Sequence, residues 1–79
     1  MFRSDKVRRL STFQQGQSGV VVDMVLEPEL QGRLMGMGLF AGTKFQLLQG
    51  GRSLRPLLLA VGETRISLGK EIAKRILAE

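Results

Sequence analysis

The 79-residue sequence contains no cysteine, histidine, tryptophan or tyrosine. These absences exclude disulfides, thiolate or imidazole metal ligands, and Cys or His nucleophiles. Acid–base chemistry would therefore depend on seven carboxylates. Their closest grouping, Asp23, Glu27 and Glu29, is more simply explained as the solvent face of a strand followed by the start of a helix. We expect a protein that is not an enzyme.

Long apolar segments are also missing. The longest uninterrupted apolar run is 57–61, far below the roughly 20 residues that a transmembrane helix needs. After Arg3, Ser-Asp-Lys stands where a signal peptide would begin its apolar region. These features predict a soluble cytoplasmic protein without direct membrane insertion.

Basic residues are concentrated at the start of the chain. Four basic residues and one acidic residue in MFRSDKVRR give residues 1–9 a net charge of +3 out of a total of +5. We interpret 1–9 as a basic N-terminal arm and 10–79 as a single domain. Because aromatics are not interleaved with these charges, a solvated leader is favoured over nucleic-acid or lipid binding.

Alternation of apolar residues predicts the strands. In 19–27, Val20, Val22, Met24 and Leu26 fall on one face, which should be the buried one. TKFQLLQ, RPLLLAV and TRISL predict three further strands, with turns at GGRS (50–53) and Gly62-Glu63. The segment 10–13 is expected to cover one end of the core.

Two helices are predicted from different signals. Pro28, Glu29 and the spacing of Leu30, Leu34 and Met37 favour a helix of about ten residues. A C-terminal helix is expected in SLGKEIAKRILAE, with Ser67 as N-cap and an inward stripe formed by Leu68, Ile72, Ala73 and Ile76. The order β, α, β, β, β, α in so short a chain favours a mainly β fold, a small SH3-like barrel with one helix after the first long strand and one at the C-terminus.

The glycine-rich stretch LQGRLMGMGLFAG (30–42) follows the first predicted helix, so the negative end of the helix dipole would face any bound anion. It therefore does not predict a phosphate loop. We expect Gly32 and Gly36 to allow close approach of the helix to the sheet, and Gly38 to adopt the left-handed conformation that ends the helix. Gly42 should serve the following turn.

The same region resembles a known family. Arg33-Leu34, Met37-Gly38-Leu39 and Gly42-Thr43 are followed by Pro56-Leu57-Leu58, Val61-Gly62, Arg65-Ile66-Ser67-Leu68, Ala73 and Ile76, a pattern similar to FeoA proteins of prokaryotic ferrous-iron transport. The resemblance extends from about Leu10 to Leu77. Ala41 departs from it, since many members have proline there.

The resemblance implies an SH3-like barrel that acts in the cytoplasm, at the inner membrane, beside the GTPase transporter FeoB. It implies an accessory or regulatory role through protein–protein interaction, without catalysis. The composition around the helix end suits a docking surface, for which we select Arg33, Met35, Met37, Leu39 and Phe40. Met35 and Phe40 are the two for which exposure is most expected.

Two alternatives remain open at the level of sequence. One is a nucleic-acid-binding barrel, although the chain offers only four phenylalanines for stacking. The other is a transition-metal-binding or sensing domain like the C-terminal domain of DtxR-type repressors, with Asp23, Glu27 and Glu29 as weak ligand candidates. The expectation is no resident cofactor, with a divalent metal and weak homo-oligomerisation left open.

Overall fold

The computed structural model describes residues 6–50 and 55–79. Within them, six strands alternate with a short 3₁₀ helix and two α-helices. In chain order these are β1 (Arg8–Arg9), the 3₁₀ helix (Leu10–Thr12), β2 (Ser18–Met24), α1 (Pro28–Gly36), β3 (Lys44–Gln49), β4 (Leu57–Val61), β5 (Thr64–Leu68), α2 (Lys70–Ala73) and β6 (Ile76–Ala78).

All strand pairs are antiparallel, and the order across the sheet is β1-β6-β2-β3-β4-β5. The inward side chains form one core, because apolar residues from five strands and α1 meet there. Fully buried members include Leu10, Leu39, Leu47, Leu57, Leu59, Ile66 and Ile76. The observed architecture is mainly β with two short helices, as the sequence predicts.

The prediction for the buried face of β2 is only partly correct. Met24 and Leu26 are buried, but Val22 is 38% exposed, while Val21, expected outside, is 1% exposed. The pairing of β2 with β6 shifts register between Val21 and Asp23, where one extra residue interrupts the alternation. Such a β-bulge reverses which side chains face the core. The predicted alternation is therefore correct after the bulge, at Met24 and Leu26, and wrong at Val21 and Val22.

The predicted C-terminal helix is wrong in extent. Only Lys70–Ala73 are helical, Gly69 rather than Ser67 is the N-cap, and Ile76–Ala78 form a strand. This strand lies between β1 and β2, where it fills an interior position of the sheet. One helical turn followed by a strand buries Ala73 and Ile76, two positions that also fit a helical stripe.

At the N-terminal end of the described chain, Arg8 packs on the first of a pair of aromatic rings, Phe13 and Phe45. Leu10 and Phe13 are buried, as expected for a segment that covers the core. The Phe13 and Phe45 rings lie 5.3 Å apart, and the Arg8 guanidinium stands 4.0 Å above Phe13 in a cation–π contact. Arg8 and Arg9, which the sequence places in the arm, therefore belong to the sheet.

Two hairpins join β3, β4 and β5. Gln46 pairs with Ala60 between β3 and β4, and Val61 pairs with Thr64 across the tight turn at Gly62, whose φ is +59°. Both hairpins are as predicted. Of the predicted GGRS turn, residues 51–53 lie outside the described residues.

Candidate docking surface at the end of helix α1

Helix α1 is fixed at its start by its own sequence. Pro28 occupies the first turn, and Glu29 places a negative charge near the positive end of the helix dipole. The Gln31 side-chain amide donates to the backbone carbonyls of Met24 at 2.8 Å and Leu26 at 3.1 Å, so the helix is joined directly to the end of β2.

The end of α1 is a Schellman motif. Gly38, with φ +98°, follows the C-cap Met37. The Gly38 N–H donates to the Met35 carbonyl and the Leu39 N–H to the Leu34 carbonyl, both at 2.9 Å. Leu34 and Leu39 are 4% and 0% exposed, as the hydrophobic contact of this motif requires. The prediction for Gly38 is confirmed.

Thr43 holds the chain that follows the helix. Its hydroxyl donates to the Gly38 carbonyl and accepts from the Phe40 N–H, both at 3.1 Å, while the Thr43 N–H donates to the Phe40 carbonyl at 3.0 Å. Val21 of β2 exchanges backbone bonds with Gly42 and Thr43 at 2.7 and 2.9 Å. The segment 38–43 is therefore tied at its own turn and to the sheet.

Thr43 is the only buried polar or charged residue in the described part of the chain, 8% exposed. Its role does not follow from the sequence pattern, because the bonds it makes depend on how the chain turns after Gly38. A hydroxyl residue directly after the turn glycine Gly42 is the one available signal.

Three apolar side chains project from the end of α1 and from the hydrogen-bonded turn that follows it. Met35, Met37 and Phe40 are 55%, 46% and 43% exposed, and Arg33 is exposed on the preceding turn. These four residues are hereafter called the helix-end surface. Met35 and Phe40 are thus exposed, as predicted. Leu39, which the sequence also predicts for the docking surface, is buried instead, because the Schellman motif turns its side chain into the core.

The expected packing of Gly32 and Gly36 against the sheet is wrong. A β-carbon built on either residue meets nothing within 4 Å. Both glycines lie on the exposed side of α1, where the fold does not require a missing side chain. Close approach occurs instead at Gly19, where a β-carbon would lie 2.8 Å from the Phe13 ring and 2.9 Å from the Phe45 ring.

The weak metal candidates do not assemble into a site. Among residues 6–50 and 55–79 there is no group of three acidic residues that could hold a metal ion. The Asp23 carboxylate accepts from the Met24 N–H at 2.8 Å, and Glu27 pairs with Arg75 at 3.3 Å. The carboxylates of Asp23, Glu27 and Glu29 therefore do not fit a resident metal ion.

Glu27 is held in its charged form. A hydrogen bond from its own backbone N–H lowers the pKa of the carboxyl, and the hydrogen bond and charge of Arg75 lower it further. Both side chains are exposed, 66% for Glu27 and 47% for Arg75, so their attraction is weakened by water. This pair is a surface contact between the start of α1 and the start of β6.

The aromatic residues do not form a stacking platform in the part of the chain that the structure describes. Phe13 and Phe45 are buried against each other, and Phe40 is the one described phenylalanine that is exposed. Phe2 lies outside the described residues. Single-strand binding by a barrel normally uses several exposed rings beside a basic groove. The nucleic-acid alternative therefore gains no support from the described rings.

In the described part of the chain, no helix is both long and apolar enough to cross a membrane.

The six-stranded antiparallel sheet and its short helices define a small domain of the SH3-like barrel class. The sequence profile of the FeoA domain matches residues 8–79. The chain belongs to the FeoA family, which is implicated in ferrous iron transport.

Solved structures agree with this assignment. The crystal structure of the iron uptake regulatory protein FeoA has 32% sequence identity and a TM-score of 0.79, with 92% of this chain and 95% of that one covered. A zinc complex of FeoA from Stenotrophomonas maltophilia, described as a prokaryotic SH3 domain protein, has 29% identity and a TM-score of 0.73, covering 90% and 88%. Comparison with curated protein sequences gives no match.

The fold also occurs inside larger proteins. A manganese-dependent transcriptional repressor has a TM-score of 0.82 at 17% identity, with 95% of this chain covered but only 42% of the repressor. This likeness concerns the fold alone.

Proposed function

We propose that this protein is an accessory subunit of ferrous iron transport that docks through its helix-end surface on the cytoplasmic part of FeoB. Membership of the FeoA family supports the process. On this proposal the protein works at the cytoplasmic face of the inner membrane and is attached there through its partner.

The observation that carries the proposal is the exposure of Met35, Met37 and Phe40 on a fixed backbone. Burial of apolar surface favours association, but ordering a mobile segment opposes it. Here the Schellman motif and the Thr43 hydroxyl have already ordered the backbone. The entropy lost on docking is then limited mainly to the side chains.

The chemistry of the helix-end surface indicates what the partner presents. Methionine, aromatic and arginine residues are enriched at protein interfaces, where an apolar centre is surrounded by a polar rim. Arg33 and the exposed Lys44 add positive charge near the apolar residues in sequence. The complementary surface is an apolar pocket with acidic side chains at its edge.

Binding of Phe40→Ala and Met35→Ala proteins to the purified cytoplasmic domain of FeoB tests the proposal. Truncation of an interface anchor typically costs more than about 1 kcal/mol, so Kd should rise by about fivefold or more for each variant. Both residues are exposed, so the melting temperature should stay close to wild type.

Val25→Ala is the matched control. Val25 is 58% exposed and lies between β2 and the start of α1, at the end of the helix opposite to the helix-end surface. Its N–H donates to the Arg75 carbonyl. The Val25→Ala substitution shortens an exposed apolar side chain outside the helix-end surface and should leave the Kd for the FeoB cytoplasmic domain unchanged. Equal binding by the wild type, both surface variants and the control would overturn the proposed docking surface.

A further inference from the structure

We propose that Met35 and Met37 are a reversible oxidation site, and that their conversion to methionine sulfoxide releases the protein from its partner. The effect on binding rests on the proposed function, whereas the chemical modification itself does not. The oxidant is hydrogen peroxide.

The structure separates the described methionines into two classes. Met35 and Met37 are 55% and 46% exposed, while Met24 is 5% exposed and belongs to the core. A small peroxide in solution oxidises an exposed methionine faster than a buried one. The fold therefore directs oxidation to the two methionines of the helix-end surface and protects the third.

The reaction needs no other reactant. A lone pair of the thioether sulfur attacks one oxygen of hydrogen peroxide, the O–O bond breaks, and an S–O bond forms. The remaining oxygen leaves as water with both peroxide hydrogens. Sulfur is oxidised and peroxide is reduced, and methionine sulfoxide reductases reverse the change with one enzyme for each sulfoxide epimer.

Oxidation at these positions leaves the fold in place. The backbone bonds that end α1 use the Met35 carbonyl and the Met37 N–H, not the sulfur atoms. The side chains that complete the core at this point are Leu34 and Leu39. A sulfoxide at Met35 or Met37 therefore changes the surface without opening the core.

The consequence for docking follows from polarity. Each sulfoxide replaces an apolar thioether with a strongly polar, hydrogen-bonding group. An apolar pocket that receives the helix-end surface would then have to bury a polar oxygen without a partner, which opposes binding. Oxidation should raise the Kd for the FeoB cytoplasmic domain by about tenfold or more.

A time course with hydrogen peroxide, followed by peptide mass spectrometry, measures the oxidation rate of each methionine. Met35 and Met37 should each gain one oxygen well before Met24. In denaturant the rates should become similar, which attributes the difference to the fold. Faster oxidation of Met24 than of Met35 and Met37 in the native protein would overturn the proposed site.

Binding measured before oxidation, after oxidation and after treatment with both reductases tests the release. A Met35→Leu/Met37→Leu variant has no thioether at this surface, so peroxide should leave its own Kd, whatever that value is before treatment, unchanged. If the oxidised wild type binds as tightly as the untreated protein, the proposed release is contradicted. It is also contradicted if peroxide weakens binding of the double variant as much as that of the wild type. If the untreated wild type does not bind the FeoB domain, the proposed docking and the proposed release are both overturned. The oxidation rates then still decide whether Met35 and Met37 form an oxidation site.

Discussion

The Thr43 hydroxyl donates a hydrogen bond to the Gly38 carbonyl oxygen across 3.1 Å, which joins the residue before β3 to the glycine that follows the C-cap of α1. The Thr43 hydroxyl oxygen also accepts a hydrogen bond from the Phe40 N–H. One buried hydroxyl therefore fixes both sides of the turn from which Phe40 projects.

Replacement of Thr43 by valine keeps the size of the side chain and removes both of its hydrogen bonds. We expect the free energy of unfolding to fall by about 1–3 kcal/mol, because the Phe40 N–H and the Gly38 carbonyl lose a partner. Urea denaturation measures this change. Thr43→Ser is the control that retains the hydroxyl, and a valine variant more stable than the serine variant would contradict this role.

Two glycine-to-alanine substitutions should have opposite effects. Gly19→Ala should lower the free energy of unfolding by about 1–3 kcal/mol, since the new methyl would overlap the Phe13 and Phe45 rings. Gly32→Ala should raise it by up to about 1 kcal/mol, since the exposed helical site is open and alanine is the better helix former. Chemical denaturation of both proteins checks the signs. Destabilisation by Gly32→Ala would show that α1 does need a glycine there.

The Glu27 carboxyl should contribute to stability in a defined pH range. Because its pKa is lowered in the folded protein, its contribution is present above its ordinary value of 4.5 and is lost as the pH falls through the folded value. Arg75→Gln should move the pKa back towards 4.5 but not fully, since the largest cause, the backbone hydrogen bond of Glu27, remains.

Carboxyl resonances followed by NMR during an acid titration measure the pKa of Glu27. Lys74→Gln is the matched control, because it removes the same charge from a neighbouring side chain that contacts Glu71 instead. An equal change in the Glu27 pKa for both variants would show that general charge, not the Arg75 contact, is responsible.

Removal of residues 76–79 should abolish cooperative folding. Ile76 and Ala78 are fully buried, and β6 supplies the partner of both β1 and β2. Glu79 also exchanges backbone bonds with Val20 at 2.8 and 3.0 Å. Thermal melting followed by circular dichroism checks this, with the full-length Glu79→Ala protein as control. A shortened chain that melts cooperatively near the wild-type temperature would contradict it.

Local sequence signals predicted the elements whose causes are local. Pro28 and Glu29 mark the start of α1, and Gly38 marks its end, because these residues act within one helical turn. The alternation of Phe45 and Leu47 predicts the inward face of β3 for the same reason, since side chains of a regular strand point alternately to its two sides. The sequence predicts exposure of Met35 and Phe40 because neither the helix stripe nor the turn requires them, whereas Met37, which the spacing places in that stripe, is exposed as well.

Tertiary structure decided the features that depend on distant partners. The bulge in β2 exists because β6 pairs with it across a register shift, and β6 is a strand because β1 and β2 both bond to it. No local propensity encodes these pairings: 76–78 fit a helical stripe equally well. The same reason leaves Gly32 open, since burial is set by what the rest of the chain brings to each position.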